Sequence, residues 1–130
     1  VTRKISTKTP WEPVVGYSRA VAAGDFVFVS GCTSVADGVL VGEGDAEAQT
    51  VQAIANVAQA LEALGVGLAD VVRTRMYVTD ISRWEEYGRA HGAVFGEAMP
   101  ATSMIGVAAL VDPRMLIEVE AVAYKPGVGT

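Results

Sequence analysis

Only two stretches of this 130-residue chain carry the spacing of a helix, while six alternate or concentrate β-formers, and that imbalance constrains the fold more than any other feature. Lys4 to Thr7, Arg19 to Ala23 and Phe26 to Ser30 read as strands, with Gly24-Asp25 as a tight turn between the second and third. Asp45 is placed to cap a helix whose apolar residues Val51, Ile54, Val57, Leu61 and Leu64 recur at helical spacing, and Gly65 can end it. Asp70 to Thr79 is the next strand. Ser82-Arg83-Trp84-Glu85 has the form of a capping box, which predicts a second helix with Trp84, Tyr87, Val94 and Phe95 along one side and Gly96 and Pro100 at its end. Ala101 to Ala109 and Met115 to Tyr124 complete the strands, joined by an Asp112-Pro113 turn.

The predicted order is β-β-β-α-β-α-β-β: an α+β fold with a single mixed sheet and two helices on one face, in one domain over residues 1–130. The other face has no helix left to cover it. With 51% hydrophobic residues, a partner subunit is the expected cover. A net charge of −5 opposes an extended phosphate-binding surface, so no nucleic acid partner is expected. Cys32 is the only cysteine, which leaves no intrachain disulfide and no Cys-x-x-Cys motif. No apolar core resembling a signal peptide follows Val1-Thr2-Arg3-Lys4, and no stretch approaches the ~18 apolar residues of a membrane span. A cytoplasmic setting and no membrane partner are expected. The tail Gly127-Val128-Gly129-Thr130 is expected to fray.

Arg73 and Arg75 lie two apart in a predicted strand and share a face, as do Glu118 and Glu120. On the helix-free face two readings stand. Arg75 or Arg73 is an anion clamp beside Glu118, which positions water or moves a proton, or the charges form cross-strand or inter-subunit ion pairs. His91, the only histidine, has no metal-ligand companion and reads either as a hydrogen-bonded structural residue or as a group near a cleft. Cys32 is a nucleophile or soft contact on one reading and a buried filler on the other. Gly88 and Gly92 imply close helix–sheet approach or room for a ligand. Trp11 is an aromatic lid or part of a packed N-terminal segment, and Gly42-Glu43-Gly44 lacks the Gly-Lys-Ser/Thr of a phosphate loop. No metal site and no cofactor are expected.

Taken in order, Gly16-Tyr17, Gly24-Asp25, Phe28-Val29-Ser30-Gly31, Gln49-Thr50, Asp70-Val71-Val72, Val78-Thr79-Asp80, Pro100-Ala101-Thr102-Ser103-Met104 and Ile117-Glu118-Val119-Glu120-Ala121-Val122-Ala123 resemble the Rid/YjgF family of reactive-intermediate deaminases nearly end to end. The resemblance implies a fold like the trimeric type of chorismate mutase, a homotrimer with small metabolites bound in clefts between subunits. It also implies that Glu118 helps position water to hydrolyse a C=N bond. Tyr17 and Gly31 match cleft positions, as do Gly88, Cys32 and Met104, where well-studied deaminases usually have asparagine, glutamine and cysteine. Deaminating members carry an arginine after the Pro-Ala pair to grip the substrate carboxylate, and this chain has Thr102 there. Charge-assisted hydrogen bonds contribute roughly 1.5–3 kcal/mol each, so the change counts against standard 2-imino acid deamination and turns attention to Arg75. The implied function is hydrolysis of a small imine or enamine. A non-catalytic metabolite-binding protein is the alternative, and the ribonuclease activity ascribed to some relatives fits the acidic charge poorly.

Overall fold

The computed structural model describes residues 2–130. In chain order it contains β1 (Thr2–Ile5), a short α1 (Trp11–Val15), β2 (Ala20–Ala23), β3 (Phe26–Cys32), β4 (Val35–Ala36) and β5 (Val39–Leu40). These are followed by α2 (Ala46–Glu62), β6 (Val71–Val78), α3 (Trp84–Phe95), β7 (Ala101–Gly106) and β8 (Ile117–Tyr124). Six strands form one sheet in the order β1-β2-β3-β8-β6-β7, and β4 and β5 pair as a separate small hairpin. All neighbours in the large sheet are antiparallel except β6 and β7, which run parallel because α3 carries the chain back to its starting end. The predicted mixed sheet and two main helices are therefore present. The small hairpin and α1 are additions that periodicity did not disclose, being too short to show a period.

Helix α2 opens as expected, with Asp45 Oδ1 accepting a hydrogen bond from the Ala48 N–H at 3.0 Å. Its buried face differs from the prediction: Val51 is exposed, and Ala46, Ala53 and Ala60 join Ile54, Val57 and Leu61 against the sheet. Small side chains there let the helix approach closely, while each fully buried Ile or Leu contributes about 1.5–3 kcal/mol.

The capping box at Ser82 does not form. Asp80 takes that role, accepting from the Ser82 N–H at 3.1 Å and opening a 3-10 turn, Ile81–Arg83, that leads into α3. The core face of α3 is Tyr87, Ala90, His91 and Phe95, with Trp84 exposed and Val94 at its margin. The tail is not frayed either. Val128 is buried, its carbonyl accepts from Arg3 Nη1 at 2.8 Å, and the Gly129 N–H donates to the Gly24 carbonyl at 2.8 Å.

Alternation along the central strands divides the sheet. Thr74, Met76 and Val78 of β6 and Ile117, Val119, Ala121 and Ala123 of β8 are buried under α2 and α3. Arg73, Arg75, Tyr77, Glu118 and Glu120 occupy the opposite, helix-free face. There Phe26 and Phe28 of β3 and Tyr124 of β8 remain 41–49% exposed in one aromatic cluster, with Phe26 and Tyr124 centroids 5.3 Å apart. Among the described residues, no helix is long and apolar enough to cross a membrane.

Candidate functional site

The β3–β8 register shifts between Val29 and Cys32, and this bulge sets Gly31 against Glu118. A Cβ at position 31 would lie 2.5 Å from Glu118 Oε2, so the carboxyl occupies space that only glycine leaves open. Burial raises the Glu118 pKa first, the charge of Glu120 raises it further, and Arg19 alone opposes the shift.

Arg19 was not singled out from the sequence, although its spacing of two from Tyr17 in an extended segment was the available signal. It is only 6% exposed. Its Nη1 donates to the Gly31 carbonyl at 2.6 Å and the Ser30 carbonyl at 3.2 Å, and Nη2 donates to the Tyr17 hydroxyl oxygen at 3.2 Å. No carboxylate forms an ion pair with Arg19 among the described residues. Backbone carbonyl dipoles and the Tyr17 ring, 5.4 Å from the guanidinium carbon, hold the charge instead. Because the Tyr17 oxygen accepts from Arg19, its own proton is free to donate outward.

Arg75 does not join Glu118. Its Nη1 pairs across the strands with Glu120 Oε1 at 3.2 Å, and the Tyr77 hydroxyl donates to the same oxygen at 2.8 Å. Arg73 Nη2 donates to Ser103 Oγ at 2.9 Å. The geometry is thus that of the ion-pair reading for Arg75.

Cys32 is buried and its Sγ donates to the Ser30 carbonyl at 3.4 Å. Burial pushes the thiol pKa up, against the pull of Arg19, which favours the buried-filler reading over that of a nucleophile. His91 is buried and hydrogen-bonded to Thr74. Gly88 and Gly92 do not serve close helix–sheet packing: an added Cβ would meet only the Trp84 ring at 4.0 Å at Gly88 and nothing within 4 Å at Gly92. Trp11 begins α1 and is half-buried, and Glu12 of the same helix fastens the N-terminal segment.

The predicted cleft residues fall into two groups. Tyr17, Gly31 and Glu118 stand together with Arg19, and Cys32 lies beneath them. Thr102 and Met104 lie on the edge strand β7, in register with Thr74 and Met76 and on the helix side of the sheet, beyond which α3 carries Gly88. One chain cannot wrap both groups around a ligand, since they face opposite sides of the sheet. A shallow concavity of about 490 Å³ beside Tyr17, lined also by Ser6, Thr9, Pro13 and Gly16, does not include Glu118. Among the described residues no cluster of His, Cys, Asp and Glu could hold a metal ion.

Comparison with known proteins agrees with this architecture. Residues 7–125 match the family model for Endoribonuclease L-PSP. The chain is 37% identical over 126 residues to the uncharacterized protein SCO2049 of Streptomyces coelicolor, covering 97% of this chain and 94% of that one. It is 35% identical over 123 residues to the RutC family protein PH0854 of Pyrococcus horikoshii, covering 93% and 96%. The crystal structure of Rv2704 from Mycobacterium tuberculosis, of the YjgF/YER057c/UK114 family, superposes with a TM-score of 0.87 at 47% identity over 95% of this chain and 99% of that one. A family match over nearly the whole length, together with the sequence identity to these relatives and the close superposition, makes this chain a member of the YjgF/UK114 (Rid) family.

Proposed function

We propose that this protein is a homotrimeric hydrolase of small imine or enamine metabolites, working in clefts between subunits. The observation that carries this reading is the Glu118 carboxyl, its proton affinity raised, lodged over Gly31 beside Arg19 and Tyr17. In the reaction R₂C=NH + H₂O → R₂C=O + NH₃, Glu118 takes a proton from the attacking water and returns it to the departing nitrogen. A carboxyl whose pKa is raised serves both transfers better than an ordinary one. Tyr17 donates to an acceptor on the ligand, and no cofactor is needed for the step.

The two walls become one cleft when the Glu118 wall of one chain meets the β7 wall of the next. The exposed Phe26–Phe28–Tyr124 face supports such assembly. Purified protein incubated with imines generated enzymatically from primary amines, which carry no carboxylate, is expected to accelerate their hydrolysis, and Glu118→Ala to lower the rate by about 10²–10⁴-fold. No acceleration over buffer, or an unchanged rate in the variant, sinks the proposal. Saturable binding without turnover would favour a metabolite-binding protein. Ribonuclease activity has the description of the matched family in its favour and the net charge of −5 against it.

A further inference from the structure

Thr102 is the outer end of a hydrogen-bonded chain that starts in the core. His91 Nε2 lies 2.8 Å from Thr74 Oγ1, Thr74 Oγ1 lies 2.8 Å from Thr102 Oγ1, and Thr102 Oγ1 lies 3.1 Å from the Pro100 carbonyl oxygen. Counting protons favours one direction, the one that keeps all three bonds. The Pro100 carbonyl can only accept, so the single hydroxyl proton of Thr102 goes to it. The bond between the threonines must then use the Thr74 proton, and the Thr74 oxygen in turn accepts from His91 Nε2–H. The reverse direction forfeits the bond to Pro100. Thr102 Oγ1, having accepted from Thr74, keeps one lone pair, and Thr102 is exposed.

We propose that His91, acting through Thr74, makes Thr102 an obligate hydrogen-bond acceptor, and that the cleft selects at this position a ligand group that donates: the N–H of an amine, amide or imine, or a hydroxyl, rather than a carboxylate. This rests on the cleft described under the proposed function. Thr74 is fully buried and the His91 ring packs on Phe95 with centroids 4.5 Å apart, which shields the relay from competing water. Burial also lowers the His91 pKa, so the ring is neutral near pH 7 with its one N–H committed to Thr74. Within the same chain Arg73 and Arg75 project from the other face of β6, so neither stands beside Thr102. The negative net charge likewise favours a neutral or cationic group over an anion.

The tautomer is read first, in the free full-length protein, by long-range ¹H–¹⁵N NMR of His91. The Nε2–H form is expected at pH 7, with that preference lost in Thr74→Val. Methylammonium, acetamide and acetate are then titrated while the Thr102 amide resonance is followed. Methylammonium and acetamide are expected to bind about tenfold tighter than acetate, equivalent to about 1.4 kcal/mol. The preference should vanish in Thr102→Val and shrink in Thr74→Val, with thermal melts showing that both variants fold. An Nδ1–H tautomer, acetate binding as tightly as methylammonium, a preference surviving in Thr102→Val, or silence of the Thr102 amide toward all three probes each overturns the proposal. None of these readouts involves imine chemistry, so the result is separate from that of the Glu118 assay.

Discussion

Glu118 is half-buried on β8, facing the charge of Glu120, with Arg19 as its one opposing cation. A carboxyl whose folded pKa lies above its ordinary value of 4.5 holds its proton more tightly in the native state than in the unfolded chain. Its contribution to stability is therefore fully present below the unfolded pKa and is lost as pH rises through the folded one. Glu118→Gln is expected to raise the thermal midpoint at pH 7, with a smaller gain or none at pH 4. Calorimetry at the two pH values checks this, and a lower midpoint at pH 7 contradicts it. Such a penalty retained in the native chain is what a residue kept for chemistry would show. The same residue was legible in the sequence because it lies in a strongly alternating strand within a recognisable run. Arg19 was not, because what distinguishes it is the set of carbonyls it meets at Ser30 and Gly31, brought close only by the β2–β3 pairing.

Among the elements, α1 shows how a five-residue helix can persist although it is far shorter than an isolated helix needs to be. Burial alone would raise the pKa of Glu12, but the Thr9 N–H, then the Ser6, Thr9 and Thr7 hydroxyls, donate to its carboxylate and bring it down to about 2. That stabilisation is present above pH 4.5 and is lost as pH falls toward 2, an effect of about 3 kcal/mol. Glu12→Gln is expected to destabilise the segment by a similar amount at pH 7 and by almost nothing near pH 2. Hydrogen exchange at the Thr9 amide is the direct readout. The long helices and central strands were legible as periods because each buries a continuous stripe. Their exact contact faces were not: α2 packs through Ala46, Ala53 and Ala60 and α3 through Ala90 and His91, residues too small or too polar to mark an apolar stripe.

For the whole molecule, the feature with the widest consequence is the bare face of the sheet. Phe26, Phe28 and Tyr124 are more exposed than a solitary subunit would leave three clustered aromatic side chains, and Arg75–Glu120 lies on the same face. Phe28→Asp is expected to convert a trimer to monomers in size-exclusion chromatography with light scattering while the circular dichroism spectrum is kept. In the proposed assembly, where each cleft is shared by two chains, imine hydrolysis is expected to fall with the trimer. An unchanged mass would refute this assembly surface.

The number and type of the main elements, the bare sheet face and the family were legible in the sequence, and Glu118, Tyr17 and Gly31 were singled out there as candidates. These follow from local periods and ordered short runs, which depend on neighbours a few residues apart. The tertiary structure alone decided which cation stands beside Glu118, that Arg75 is bound to Glu120, and that Thr102 is tied to His91 through Thr74. The reason is geometric: alternation tells which face of a strand a side chain takes, but only register and crossover tell which side chain from elsewhere in the chain it meets there.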